Sequence, residues 1–141
     1  MSPRPGWFTA AISLSLLWSI AGVAAFAGHV WAGEKMAAEQ GAWDLVFFRA
    51  LSAWFAWDYG VATLSSLAGS LALFMRSKWA AALFAVSLVA VVIQFGYVFL
   101  GTDLITHKGA AATVPFPAFI ALMSVAQIAL ARMAARRGWV R

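Results

Sequence analysis

The chain contains no cysteine. That excludes disulfides, thiolate-ligated zinc, iron–sulfur clusters, covalent c-type haem and thiol redox chemistry. Charge is the second shortage. Only 11% of the residues are charged, against roughly a quarter in an average soluble domain. A chain of 141 residues with so little charge cannot cover a water-soluble globule with polar surface. Proline is sparse too, and Pro3, Pro5, Pro115 and Pro117 are all outside 53–101. The broken helices from which many transporters build a midplane site are therefore missing. No His/Asp/Glu group has metal-ligand spacing, and no serine has both a base and an orienting acid. No glycine-rich phosphate loop is present. Neither catalysis nor a cofactor is expected.

What remains is apolar. Hydrophobic residues make up 64% of the chain, and the mean hydropathy is +0.85. The expected fold class is all-α, an integral membrane four-helix bundle in one domain. Four runs are expected to span, at 7–31, 53–75, 79–101 and 115–133. At 1.5 Å per residue, runs of this size match a hydrocarbon core of roughly 30 Å. The two central runs are joined by Arg76-Ser77-Lys78, a turn that can only fold them into an antiparallel hairpin. In the first run, Ala25-Phe26-Ala27 resembles a signal-peptidase site. The apolar stretch exceeds the usual 7–15 residues, so it is read as a retained span.

The longest polar connection is 33–52. Within it Trp43, Val46, Phe47, Ala50, Leu51 and Trp54 recur at helical spacing. Either 43–52 is a short amphipathic helix in the interface, or the second span starts early and projects. Pro115 and Pro117 open the last span, where missing N–H groups cost nothing. Gly138 is read as a helix stop, and Trp139 as an interface anchor.

Four spans put both termini and the middle turn on one side. That side carries Arg4, Arg76, Lys78, Arg132, Arg136, Arg137 and Arg141. The other side carries Lys35, Arg49 and Lys108 together with all five acids, Glu34, Glu39, Asp44, Asp58 and Asp103. The positive-inside rule then makes both termini cytoplasmic, in a bacterial inner membrane. The basic residues contact lipid headgroups and set topology. The net charge of +5 is thus assigned to the bilayer and not to nucleic acid.

Spans associate through small residues and polar contacts. Ser15, Ser19 and Gly22 on the first span, and Ala62, Ser65, Ser66, Gly69 and Ser70 on the second, form stripes at helical spacing. These faces are expected to meet. Gln94 and Gln127 differ in depth by roughly 10 Å at 1.5 Å per residue. They are not expected to bond each other.

Asp58 is the most informative ionisable residue. It falls inside the outer end of the second span, where a carboxylate is costly and by default suggests a site. His29, Arg49 and Lys108 are its candidate partners, and the bland alternative is a headgroup-level carboxylate. His29, Asp58, Gln94 and Tyr97 form the candidate outer-side polar site. Ala25 and His29 have the small-x-x-x-His spacing of pigment-binding helices, a pattern of only two fixed residues. His107 is expected to be solvated in a loop.

The chain also carries Leu16-Leu17-Trp18 with Gly22, Ala53-Trp54, Leu67-Ala68-Gly69-Ser70 and Arg76-Ser77-Lys78-Trp79-Ala80. Phe84-Ala85-Val86-Ser87-Leu88 follows. In these stretches it resembles a group of small bacterial four-span membrane proteins that often carry a sugar-transporter label. It departs from them at Ser52, where proline is expected, and at Asp58. The resemblance implies four spans and an inner-membrane location. The expected function is a non-catalytic accessory or scaffold subunit that packs against other membrane proteins or itself. The alternatives are an oligomeric carrier of a small, sugar-like solute and, more remotely, a pigment- or haem-binding subunit.

Overall fold

The computed structural model describes residues 3–141. The chain is all-α. Its elements are α1 (Gly6–Gln40), α2 (Ala42–Ala50), α3 (Trp54–Phe74), α4 (Ala80–Leu100), α5 (Leu104–Lys108), α6 (Ala110–Thr113) and α7 (Pro115–Arg136). Among the described residues there is no strand. The long helices pack in chain order: α1 on α3, α3 on α4, and α4 on α7.

Among the described residues three helices are long and apolar enough to cross a membrane: α1, α4 and α7. This is one fewer than the sequence suggested. The fourth run, α3, has 21 residues, the same length as α4. It falls short in apolarity because it carries Asp58, Thr63, Ser65, Ser66 and Ser70. Two of those hydroxyls, Ser66 and Ser70, are buried against neighbouring helices.

The first helix is longer than expected. It has 35 residues, about 52 Å at 1.5 Å per residue, and continues well past Trp31. Glu34, Lys35 and Glu39, read as loop, are its last turns. Charge there does not break a helix; it marks where the helix outruns an apolar layer of roughly 30 Å. Gly41 then reverses the chain at φ 154°, ψ 171°, a region open essentially only to glycine.

Residues 42–50 form a separate helix and do not prolong α3. The break is at Leu51, in extended conformation. Ser52 donates its N–H to the Tyr97 hydroxyl at 3.2 Å, and its own hydroxyl lies 3.1 Å from the same oxygen. A proline here would remove the N–H. Ser52 therefore gives the α2–α3 joint a tie to α4.

The basic end is closed by chain ends and turn together. Arg4 donates to the carbonyls of Phe74 at 3.0 Å and Leu73 at 2.5 Å. A cation thus caps the negative end of α3. Burial, and then the nearby Arg76 charge, pull the Arg4 pKa down from the ordinary guanidinium value. The turn and the tail are joined by two backbone bonds, Lys78 N–H to Arg141 at 2.7 Å and Arg141 N–H to Arg76 at 2.9 Å. Gly138, at φ 72°, ends α7, and the Trp139 N–H returns to Ala134 at 2.9 Å. This is a Schellman stop.

Trp139 is not an interface anchor. It is 5% exposed and packs on Phe8 and Trp7, with ring centroids 4.5 and 5.8 Å away. With Ile12, Leu73, Ala80, Phe84, Ala131 and Ala134, the Phe8 and Trp139 rings build the main apolar core. Outside, the surface is apolar: Leu14, Leu17, Trp57, Leu100 and Leu122 are well exposed. Large apolar side chains outside and six serines buried inside are consistent with the three helices that could span a membrane.

Candidate functional site

Polar side chains occupy three places: a layer midway along the helices, a clasp at the end opposite the basic end, and a cavity between them.

The layer holds α1, α3 and α7 together. The Ser15 hydroxyl lies 2.8 Å from that of Ser70. Ser19 lies 2.8 Å from Ser66 and 2.9 Å from Ser70. Gln127 donates to Ser15 at 2.9 Å and accepts from Ser66 at 3.3 Å. All five are buried. Serines four apart on two facing helices present their hydroxyls along one line. Gln127 comes in from α7 to satisfy that line.

The other small residues fall elsewhere. Gly22 faces Thr63 of α3, to which an added Cβ would be 3.5 Å away. Gly69 does not face α1. Its missing Cβ would be 2.7 Å from the Phe84 ring of α4. Ala62 also turns towards α4, where the Ser87 hydroxyl donates to its carbonyl at 2.6 Å. Ser65, half-buried, donates to the carbonyl of Val61 in its own helix. Sequence reasoning missed Ser87, whose motif was read only as a turn-and-span feature.

At the far end, α5 clasps α2. The His107 ring stacks on Trp43 at 4.0 Å and 2°. Lys108 lies 2.5 Å from Asp44 and over the Trp43 ring at 5.5 Å. His107 is thus exposed but stacked. Arg49 pairs with Glu34 of α1 at 2.6 Å, in the open. Gly33 lets Phe48 approach α1, since a Cβ there would be 2.5 Å from the ring.

The four residues of the expected outer site do not share one cavity. His29 is boxed by Phe48, Phe55 and Tyr59, with centroids 5.1, 5.5 and 5.2 Å away. It lines a groove of about 700 Å³ between α1, α2 and α3. Tyr97 is engaged with Ser52 and Trp54. One carboxylate oxygen of Asp58 is buried with no hydrogen-bond partner among the described residues. Its candidate partners are otherwise occupied: Arg49 pairs with Glu34, Lys108 with Asp44, and His29 with aromatic rings. Among the described residues no three His, Asp or Glu side chains are placed to hold a metal ion.

Gln94 is in the third place. It is 6% exposed and lines a cavity of about 180 Å³ between α1, α3, α4 and α7. The depth argument holds: Gln94 is not bonded to Gln127, which is committed to the serine layer. The basic residues expected to set topology are gathered apart from all of this. Arg76 and Lys78 are in the turn, Arg132 and Arg136 in the last two turns of α7, and Arg137 and Arg141 in the tail.

Comparison of this chain with family models, with curated proteins and with solved structures finds no match to any.

Proposed function

We propose that the chain is a four-span protein of a bacterial inner membrane, with both ends cytoplasmic, serving as a non-catalytic accessory subunit for other membrane proteins or for itself. Support for the fourth crossing comes from α3. Its 21 residues can span roughly 30 Å at 1.5 Å per residue, and its buried hydroxyls are satisfied by other helices. The orientation rests on the gathering of Arg4, the 76–78 turn and the 138–141 tail at one end. By the positive-inside rule that end is cytoplasmic. The resemblance to small four-span inner-membrane proteins points the same way.

One observation carries the accessory reading. The buried serine hydroxyls are largely consumed in holding the helices together. The groove beside His29 is lined by an acid and a base, Asp44 and Lys108, that are closed on each other as a salt bridge between α2 and α5. What the molecule offers outward is apolar helix surface, which suits lipid and other spans. The alternative, a small-solute carrier acting as an oligomer, draws on the Gln94 cavity alone.

The test is extraction in a mild detergent, followed by size and mass analysis of what remains bound. The accessory reading predicts a defined larger complex, containing other membrane proteins or several copies. A lone monomer that moves a solute across reconstituted vesicles would contradict it.

A further inference from the structure

We propose that the cavity beside Gln94 binds an uncharged amphiphile from the bilayer, whose one hydrogen-bonding group pairs with the Gln94 carboxamide. Gln94 is 6% exposed, and among the described residues its side chain makes no hydrogen bond. An amide so placed holds two donors and an acceptor ready for a guest. The serine and threonine hydroxyls around it already have their protons committed. Ser87 donates to Ala62, Thr63 to Tyr59 and Ser124 to Ile120, all backbone carbonyls. Gln94 is therefore the deeply buried group at which a polar part of the guest would be recognised.

The rest of the wall sets the guest's character. Among the described residues no Asp, Glu, Lys, Arg or His lines the cavity, so a charge would be stranded there. Trp18, Tyr59, Val91 and Phe95 supply apolar and aromatic surface. A sugar, hydroxylated all round, would leave most of its groups unpaired against such walls. A flat or branched apolar body with one amide, carbonyl or hydroxyl group fits. The volume, about 180 Å³, is of the order of the ~150 Å³ apolar cavity that accepts benzene.

The entrance follows from exposure. Gln94, Ser87, Ala62 and Ser124 are buried, whereas Ala21 and Ala25 of α1 and Phe116 of α7 are exposed. The cavity thus opens between α1 and α7, the pair that chain-order packing leaves apart. Gln127 and the Trp18–Phe119 edge contact at 5.5 Å tie these two helices together. A mouth between two lipid-facing helices admits a molecule already dissolved in the membrane. This holds whether or not the accessory reading does.

The chain has three glutamines, Gln40, Gln94 and Gln127, and no asparagine. Side-chain amide labelling with 15N-glutamine therefore gives three resolvable NH₂ pairs from the full chain in phosphocholine nanodiscs. Benzamide, ethylbenzene and glucose are the probes. Benzamide is expected to shift the Gln94 pair saturably while Gln40 and Gln127 stay in place. Ethylbenzene, lacking the head, is expected to bind about fivefold to tenfold more weakly, the worth of one hydrogen bond. Gly22→Leu, whose Cβ is accommodated at 3.5 Å from Thr63, fills the cavity and should abolish the shift. The Gln127 resonance reports that the helices still pack; if Gly22→Leu disturbs it, Ala25→Leu at the mouth replaces that variant. A Gln94 pair that answers to none of the probes would overturn the proposal. So would a saturable glucose shift, ethylbenzene binding as tightly as benzamide, or a benzamide shift that survives the filled cavity.

Discussion

At Gly69 the hydrogen in place of a side chain is what lets α3 meet α4. A Cβ there would be 2.7 Å from the Phe84 ring, and Phe84 is fully buried with no room to turn aside. Gly69→Ala should therefore destabilise the protein by about 1–3 kcal/mol, the usual cost of overpacking. Gly96→Ala is the control, since nothing is within 4 Å of its added Cβ. It should be neutral or slightly stabilising, as Ala is the better helix former by up to ~1 kcal/mol. Thermal unfolding in detergent separates the two. The serine layer gives a second test. Gln127→Leu removes the donor to Ser15 and the acceptor for Ser66. Interhelical bonds of this kind are worth about 0.6–2 kcal/mol in a membrane, so a loss of that order is expected in the same assay.

These positions show how far small residues can be read in a sequence. Ser15 and Ser19, and Ser66 and Ser70, were legible because pairs four apart must share a face. Gly69 was legible as a packing position, but its neighbour was not. It is adjacent in sequence to Ser70, and one step along a helix turns a side chain by about 100°, from α1 towards α4. Ser65 shows a different limit. Its hydroxyl is satisfied by its own helix, a local bond that spacing rules do not foresee.

The elements at the far end behave as a clasp. The α2 helix has only 9 residues, none of them buried, and a helix this short is marginal without tertiary support. That support comes from Trp43, stacked on His107 and lying under Lys108, and from Phe48 against Gly33. Trp43→Ala should release α2 without loosening the core. Hydrogen exchange across 42–50 should accelerate by tenfold or more, while α3 and α4 keep their protection. Equal acceleration everywhere would mean that the clasp also holds the core. The separate helix was foreseeable from its spacing, though not its break from α3, because Leu51 and Ser52 carry no breaker signal. The length of α1 was hidden for a different reason. Glu34, Lys35 and Glu39 look like loop by composition, yet they are sound helix formers, and the stop comes only at Gly41. The expected outer site failed to assemble because partner choice is tertiary. Arg49 and Lys108 were within reach of several acids, and the packing of α2 against α1 and α5 gave them to Glu34 and Asp44.

Taken together, a buried serine–glutamine layer beside the apolar core and a surface of large apolar side chains depart from the soluble pattern, and the two ends of the molecule differ in charge. The account therefore turns on whether α3 crosses the bilayer with its neighbours despite its polar residues. A chain without cysteine is a clean background for single-cysteine labelling with a membrane-impermeant maleimide in oriented membranes. Ser77→Cys in the basic turn and Arg141→Cys in the tail should label only from the cytoplasmic face. Glu39→Cys at the end of α1 and Thr106→Cys in α5 should label only from the opposite face. Labelling of Ser77→Cys and Glu39→Cys from one and the same face would mean that α3 does not cross, and would contradict the account.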